Sequence, residues 1–489
     1  MTAAPQRRHQ AGMQGCKNPA MPDVLKNARA ACLGGLSILL LGLLVACGGG
    51  GGGGSSSGTG TTGAATNTAP ATSTLVLSLP SHGLTAQDLA VVVLQGDATS
   101  EAMASYYQSK RGVPAANMIY VSLPGSGGDT IAASDFATLK AQIDAQMPAS
   151  AQAVLLAWSA PSRVVGASCS MSITSATTFG YSAAYCGGCA TTAASAYYDS
   201  ESTRPFAELG IRPTMLLGTS TLAAAQALID RGVASDASAP GGTGWLVRTS
   251  DAARNVRYTD WTGLPSTWAG LLALDDVDNS AGGASDTVAN QSNVMFYFTG
   301  LAAISNLASN TYRPGAVGDS LTSYAGLLPD GSGQTTVQAW LAAGLTASYG
   351  TVEEPCNSTA KFPRVSVLLD HYWRGDTLIE AYWKSVLEPG QGLFVGEPLA
   401  HPWPDAPSFA ISGSAYQIAT RSLRPGSAYE LDYTSNSGSS WTRLAGFTGA
   451  RGGVANLSAP LAPATATQLR WTGPCASNTS QSCTLATSP

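Results

Sequence analysis

The sequence predicts an α/β protein: a mainly parallel sheet with helices on both faces, followed by a small all-β sandwich. Three observations predict it. Continuous apolar runs such as Leu89-Ala-Val-Val-Val-Leu94 and Ala153-Val-Leu-Leu-Ala-Trp158 have the pattern of strands buried on both faces. Helical stretches alternate with these runs, the order that builds parallel sheets through crossover connections. After Pro402-Trp-Pro404 the texture changes to short alternating runs divided by Gly, Ser and Asn, the look of an antiparallel sandwich.

The first β-α-β unit comprises Leu89–Leu94, a turn at Gln95-Gly-Asp97, a helix over 101–110 and a strand at Met118–Ser122. Ser100 is placed to cap that helix, and Gly112 and Pro114 stop it. Phe136–Met147 reads as a helix before the 153–158 strand. Thr214–Leu217 is strand-like, Thr221–Arg231 a helix and Gly244–Arg248 a strand. Val294–Phe298 is another strand, Thr336–Ala343 a helix leading into Ala347–Gly350, and Thr377–Val386 a closing helix. These elements define an α/β domain at 75–405. Runs such as Tyr429–Tyr433 and Gln468–Trp471 define an Ig-like sandwich at 406–489, small enough to profit from a Cys475–Cys483 staple.

The amino terminus predicts an address. A basic segment (Arg7, Arg8, Lys17, Lys26, Arg29) precedes an apolar run from Leu33 to Val45, which ends in Leu44-Val45-Ala46-Cys47. The run is shorter than the about 20 residues of a membrane span and has signal-peptide anatomy. It resembles the lipobox of bacterial lipoprotein signals, which implies 1–47 as signal and lipobox, with Cys47 the diacylated first mature residue. Met13 and Met21 are alternative starts behind the long basic leader. Gly48 after the cysteine resembles signals directed to the outer membrane. Residues 48–74 are Gly/Ser/Thr-rich and read as a flexible tether of roughly 28 Å r.m.s. length.

Removing 1–46 takes away five basic residues and one acidic one, leaving 20 Lys+Arg against 29 Asp+Glu. An acidic chain without a basic run has no electrostatic footprint for nucleic acid. The expected partners are the lipid anchor's membrane and envelope or surface proteins. Beyond Cys47 the mature chain holds Cys169, Cys186, Cys189, Cys356, Cys475 and Cys483. An even number in an exported chain predicts disulfides, Cys475 with Cys483 and Cys169 with the Cys186-Gly-Gly-Cys189 pair. That CxxC motif also admits a redox role or half a zinc site. No second CxxC and no nearby histidine support zinc, and no metal or cofactor is expected.

Several segments together resemble an uncharacterised family of exported bacterial proteins from genomes that carry an exosortase sorting system. They are Ser105-Tyr-Tyr-Gln-Ser-Lys-Arg-Gly-Val-Pro114 with Asn117, Ala227-Leu-Ile-Asp-Arg-Gly232, Arg254-Asn-Val-Arg257, the stretch from Trp340 to Cys356, His371-Tyr-Trp-Arg-Gly-Asp376 and Gly396-Glu-Pro-Leu399. The resemblance covers most of 89–403 and implies no activity. More distantly, the tail of the α/β region resembles gingipain-type, caspase-like cysteine peptidases, which implies a caspase-like fold. Their histidine turn corresponds to Phe298-Thr-Gly300-Leu301 and their catalytic cysteine to Gly318–Tyr324; here neither residue is present.

Only His82, His371 and His401 survive in the mature chain, so an imidazole base must be one of them. His82 adjoins the tether, and His401 reads as a turn residue between Ala400 and Pro402. His371, near Asp370, Arg374 and Asp376 and downstream of Glu353, Glu354 and Cys356, is the best catalytic candidate. Cys356 is then the candidate nucleophile and Glu353 a supporting acid, with a disulfide as the rival role for Cys356. Ser323 lacks a nucleophile-elbow frame. Asp275-Asp-Val-Asp278-Asn279 with Asp286 offers oxygen ligands for calcium without EF-hand spacing, and an acidic surface turn is the simpler reading. Two functions remain: a lipid-anchored binding or assembly protein of the envelope, or a cysteine-type hydrolase using Cys356 and His371 at the carboxyl edge of the sheet.

Overall fold

The computed structural model describes residues 75–80, 82–125, 127–450, 452–473 and 480–485. The lipobox, Cys47 and the tether lie outside the described residues, as do Cys475 and the side chain of Cys483. Among the described residues, no helix is long and apolar enough to cross a membrane.

A ten-stranded sheet forms the centre, in the spatial order Ala273–Asp278, Thr243–Arg248, Val294–Thr299, Tyr312–Ser320, Ala347–Thr351, Gly392–Gly396, Thr214–Leu216, Ala153–Leu156, Leu89–Leu94 and Met118–Val121. Every neighbouring pair is parallel except Ala347–Thr351 with Gly392–Gly396. The sheet is therefore two parallel half-sheets of opposite direction. Instead of the single carboxyl edge expected from the sequence there are two, on opposite sides of the molecule. Successive residues of a strand face opposite ways, and every residue of Leu89–Leu94, Val294–Thr299 and Gly392–Gly396 is buried. Both faces of the sheet are covered, as the apolar runs implied.

Local chemistry sets the helix ends. The helix Ala98–Arg111 is capped by Asp97, whose carboxylate accepts from the Thr99 and Ser100 backbone amides at 2.9 Å. The expected cap, Ser100, instead accepts from Leu94 N at 2.9 Å. Gly112 ends the helix at φ +68°, a left-handed conformation that glycine adopts without penalty. The helices Leu222–Ser235 and Val337–Ala343 begin behind Thr221 and Thr336, both side-chain caps, and Leu378–Ser385 begins with a Thr377/Glu380 capping box.

Three strands of the ten-stranded sheet were not foreseen, nor were the helices Ile173–Phe179, Pro205–Leu209 and Val365–Trp373. Tyr312–Ser320 holds Pro314, Gly315 and Gly318, poor strand formers. Yet Gly318 is required: a Cβ there would stand 2.6 Å from Tyr297 O of the neighbouring strand. Gly392–Gly396 is the antiparallel seam. Ala273–Asp278, read as an acidic turn, is an exposed edge strand whose carboxylates discourage further strand pairing. Of the unforeseen helices, Val365–Trp373 carries His371.

The small all-β unit has a five-stranded sheet and a three-stranded sheet. Tyr416 and Ile418 from one and Leu431, Leu469 and Trp471 from the other share its core. One boundary is corrected. Leu75–Pro80 does not begin the α/β domain; it pairs parallel with Gln468–Thr472 and antiparallel with Ser480–Leu485, and Leu75 and Leu77 enter the sandwich core. The chain thus starts in the small unit, builds the large sheet and returns. Alternating burial over residues 75–78 gives no local clue to which sheet will receive the strand.

Candidate functional site

The carboxyl edge formed by the strands between 243 and 351, which the sequence had pointed to, carries a cleft. It has a volume of about 260 Å³ and is lined by Arg254, Thr322, Ser323, Glu354 and Asn357, among others. Three strand ends supply it. Tyr312–Ser320 runs into Leu321-Thr322-Ser323, Ala347–Thr351 into Val352–Asn357, and Thr243–Arg248 into the loop that reaches Arg254. Thr351 Oγ1 donates to Ser323 O at 2.8 Å, binding two of these exits together. Gly350 allows the close approach, since a Cβ there would meet Ala325 C at 2.6 Å.

The cleft wall is polar. Arg254 Nη1 pairs with Asp251 at 2.8 Å and its Nε donates to Thr322 Oγ1 at 3.3 Å. Thr322 Oγ1 donates in turn to Gln334 Oε1 at 2.6 Å, and Asn357 Nδ2 to Ala253 O at 2.8 Å. Glu354 accepts from Cys356 N at 2.8 Å, whereas Glu353 turns away to accept from Ser170 N at 3.1 Å. Gly300 follows directly on the strand Val294–Thr299. A Cβ there would stand 1.9 Å from Arg254 O, so the turn has no room for a side chain.

The candidate catalytic residues do not converge. Cys356 is disulfide-bonded to Cys189, with Cα atoms 4.9 Å apart, and a disulfide sulfur is not a thiolate nucleophile. Cys169 pairs with Cys186, Cα atoms 5.7 Å apart. Both members of the CxxC motif are therefore engaged, each with a distant partner. His371 is fully buried in its helix. Its Nδ1 lies 2.9 Å from Asp376 and its Nε2 3.3 Å from Asp199, and neither carboxylate lines the cleft. Ser323 lies in the cleft with no imidazole beside it.

His371 belongs to a charged network between the helix Val365–Trp373 and the small β unit. Asp376 is its hub, accepting from His82 Nδ1 at 2.8 Å, His371 Nδ1 at 2.9 Å and Lys384 Nζ at 2.6 Å, all buried. Arg374 pairs with Glu201 at 2.7 Å and Asp370 at 2.8 Å and donates to Ser422 O at 3.3 Å. Arg424, from the small unit, reaches Asp199 and Glu201. Burial alone would raise the Asp376 carboxyl, but Lys384 and His82 outweigh it and hold it well below the usual range. Glu201 is likewise driven down, by Arg374 against burial. Burial and Lys384 push His371 down, yet its hydrogen bonds to Asp199 and Asp376 leave it raised. His401, the third histidine, donates to Gly375 O at 2.6 Å, and burial lowers it to about 4.

Sequence reasoning placed His82 beside the tether and missed its bond to Asp376, 294 residues away, which no local pattern announces. Two further buried pairs involve other segments singled out in the sequence. Arg257 meets Asp319 at 2.6 Å and donates to Thr299 O at 2.7 Å, tying the 249–257 loop to the strand ends. Arg111 pairs with Glu397, and Tyr107 donates to the same carboxylate at 2.7 Å. Gly232 completes that second cluster, because a Cβ there would come within 2.3 Å of Glu397 Oε2. Three of the resembling segments therefore meet at one structural lock. Asp286 accepts from Ser250 N, Ser250 Oγ and Asn279 Nδ2, and among the described residues no group of His, Cys, Asp and Glu is arranged to hold a metal. Comparison with protein families, characterised proteins and solved structures returns no match.

Proposed function

We propose that this chain is a lipid-anchored binding or assembly protein of the cell envelope, tethered through Cys47 at the outer membrane, which recognises its partner at the cleft beside Arg254. We further read its opposed half-sheets as a variant of the caspase-like scaffold. The carrying observation is the fate of the ionisable groups. His82, His371 and His401 are each committed to a carboxylate or a backbone carbonyl away from the cleft. The cleft keeps an arginine, a carboxylate, hydroxyls and an amide, groups that orient a polar ligand, and none of the three histidines lines it. The disulfides Cys169–Cys186 and Cys189–Cys356 fit an oxidising compartment. The hydrolase alternative rests on a Cys356 thiolate beside the His371 imidazole, and no observation now favours it.

Radiolabelled palmitate tests the anchor: it is expected in the wild type and absent from Cys47→Ser, and equal labelling of both sinks it. A thiol-directed activity probe tests the chemistry. No labelling of the oxidised protein is expected; labelling abolished by His371→Ala would restore the hydrolase.

A further inference from the structure

The CxxC motif is not used by the proposed function, and its two disulfides differ sharply in environment. Cys169 and Cys186 are 7% and 4% exposed, sealed in the large core. Cys189 and Cys356 are both solvent-exposed. Their bond joins the second cysteine of the CxxC to the loop 352–358, which forms one wall of the cleft through Glu354, Pro355, Cys356 and Asn357. Cys356 and Asn357 hold φ of +51° and +45°, left-handed conformations that cost non-glycine residues energy and persist where the surroundings impose them.

We propose that Cys189–Cys356 is a thiol-exchange site that takes dithiol reductants, and that its reduction frees the 352–358 wall of the cleft while Cys169–Cys186 stays oxidised. A thiolate of the dithiol attacks the exposed Cys356 sulfur, and the Cys189–Cys356 bond breaks as the new mixed disulfide forms. Cys189 leaves as a thiolate and takes up a proton. The second thiol of the reductant then attacks its own sulfur in the mixed disulfide, releasing Cys356. Two electrons have passed from the dithiol, now a cyclic disulfide, to two cysteine thiols. Exposure decides between the two bonds, since the attacking sulfur needs access along the S–S axis.

Freed of that bond, the loop keeps the Glu353–Ser170 and Asn357–Ala253 contacts at its ends. Its positive-φ centre then relaxes, and the cleft mouth widens toward a polar ligand.

The test titrates the full mature protein with dithiothreitol under native conditions, traps thiols with iodoacetamide and maps them by peptide mass. Cys189 and Cys356 are expected to alkylate at dithiothreitol concentrations at least about tenfold below those needed for Cys169 and Cys186. Coincident reduction of the two pairs overturns the proposal. Hydrogen exchange reads the loop: faster exchange within 352–358 is expected both in the selectively reduced protein and in a Cys189→Ser/Cys356→Ser variant. Unchanged exchange there, or loss of the native tryptophan fluorescence on selective reduction, also overturns it.

Discussion

The cleft at the carboxyl edge and the network around Asp376 use the same side chains to opposite ends. In the cleft, Arg254 and Glu354 keep water access and local partners, and their loops enter from three strand ends. In the network, His82, His371 and Lys384 surround a carboxylate with no exposure at all. Histidines and perturbed carboxylates usually invite a catalytic reading. Here the lowered Asp376 carboxylate and the raised His371 imidazole are both fully buried and lie away from the cleft. A shifted titration therefore marks a structural junction in this molecule, where Arg374 and Arg424 join the helix Val365–Trp373 to the small β unit.

The largest expected effect breaks the network at its hub. Asp376→Ala leaves His82, His371 and Lys384 buried around a missing charge. Removing one partner of a buried ionic group costs about 3–5 kcal/mol. Urea denaturation should show a loss of that order; a loss under about 1 kcal/mol would mean that the network is not holding the junction. The cleft is expected to keep its geometry in whatever fraction remains folded, because none of its lining residues contacts Asp376.

The sequence carried the large sheet well, because continuous apolar runs such as Leu89–Leu94 and Val294–Phe298 state their burial locally. Helix starts at Thr221, Thr336 and Thr377 were legible for the same reason: a cap is a contact across three residues. What escaped is non-local or built from weak formers. Tyr312–Ser320 is strand because its neighbours require it, and its glycines are there for close approach. His82 joins Asp376, and Leu75–Pro80 joins strands near the far end of the chain; neither pairing leaves a trace in its own neighbourhood. For the site, the sequence pointed to the carboxyl edge and the residues after Gly350, and Glu354 and Cys356 line a cleft there. The convergence of Glu353, Cys356 and His371 was not realised, since proximity in the chain said nothing about which face of a helix His371 would occupy.

Acid tests the comparison next, because two histidines near the junction titrate in opposite senses. His371 has a raised value, so its contribution is complete below the ordinary histidine range and is lost as pH rises through its folded value. His401 is lowered to about 4, so its contribution is present above the ordinary value and lost as pH falls toward 4. The lowered carboxylates Asp199, Glu201 and Asp376 hold their contribution until pH falls below the usual carboxylate range. His371→Gln should therefore cost more stability at pH 5.5 than at pH 8. His401→Gln should flatten the loss of wild-type stability between pH 6.5 and 4 by roughly 2–3 kcal/mol. Denaturant midpoints across that range decide it, and parallel profiles for wild type and both variants would remove the histidines from the account.

The smallest effect belongs to the cleft. Arg254 is about one-third exposed, and its ion pair with Asp251 is three residues away on the same loop. Such pairs contribute about 1 kcal/mol or less. Gly300 packs against the Arg254 backbone carbonyl, which survives any side-chain change. Arg254→Ala should thus lower stability by no more than about 1 kcal/mol, while removing the one cation among the described residues that line the cleft. A polar or anionic ligand that binds there should then lose its affinity with the fold intact. If Arg254→Ala instead costs as much stability as Asp376→Ala, the cleft is a second structural junction, and the distinction between an accessible site and a sealed one collapses.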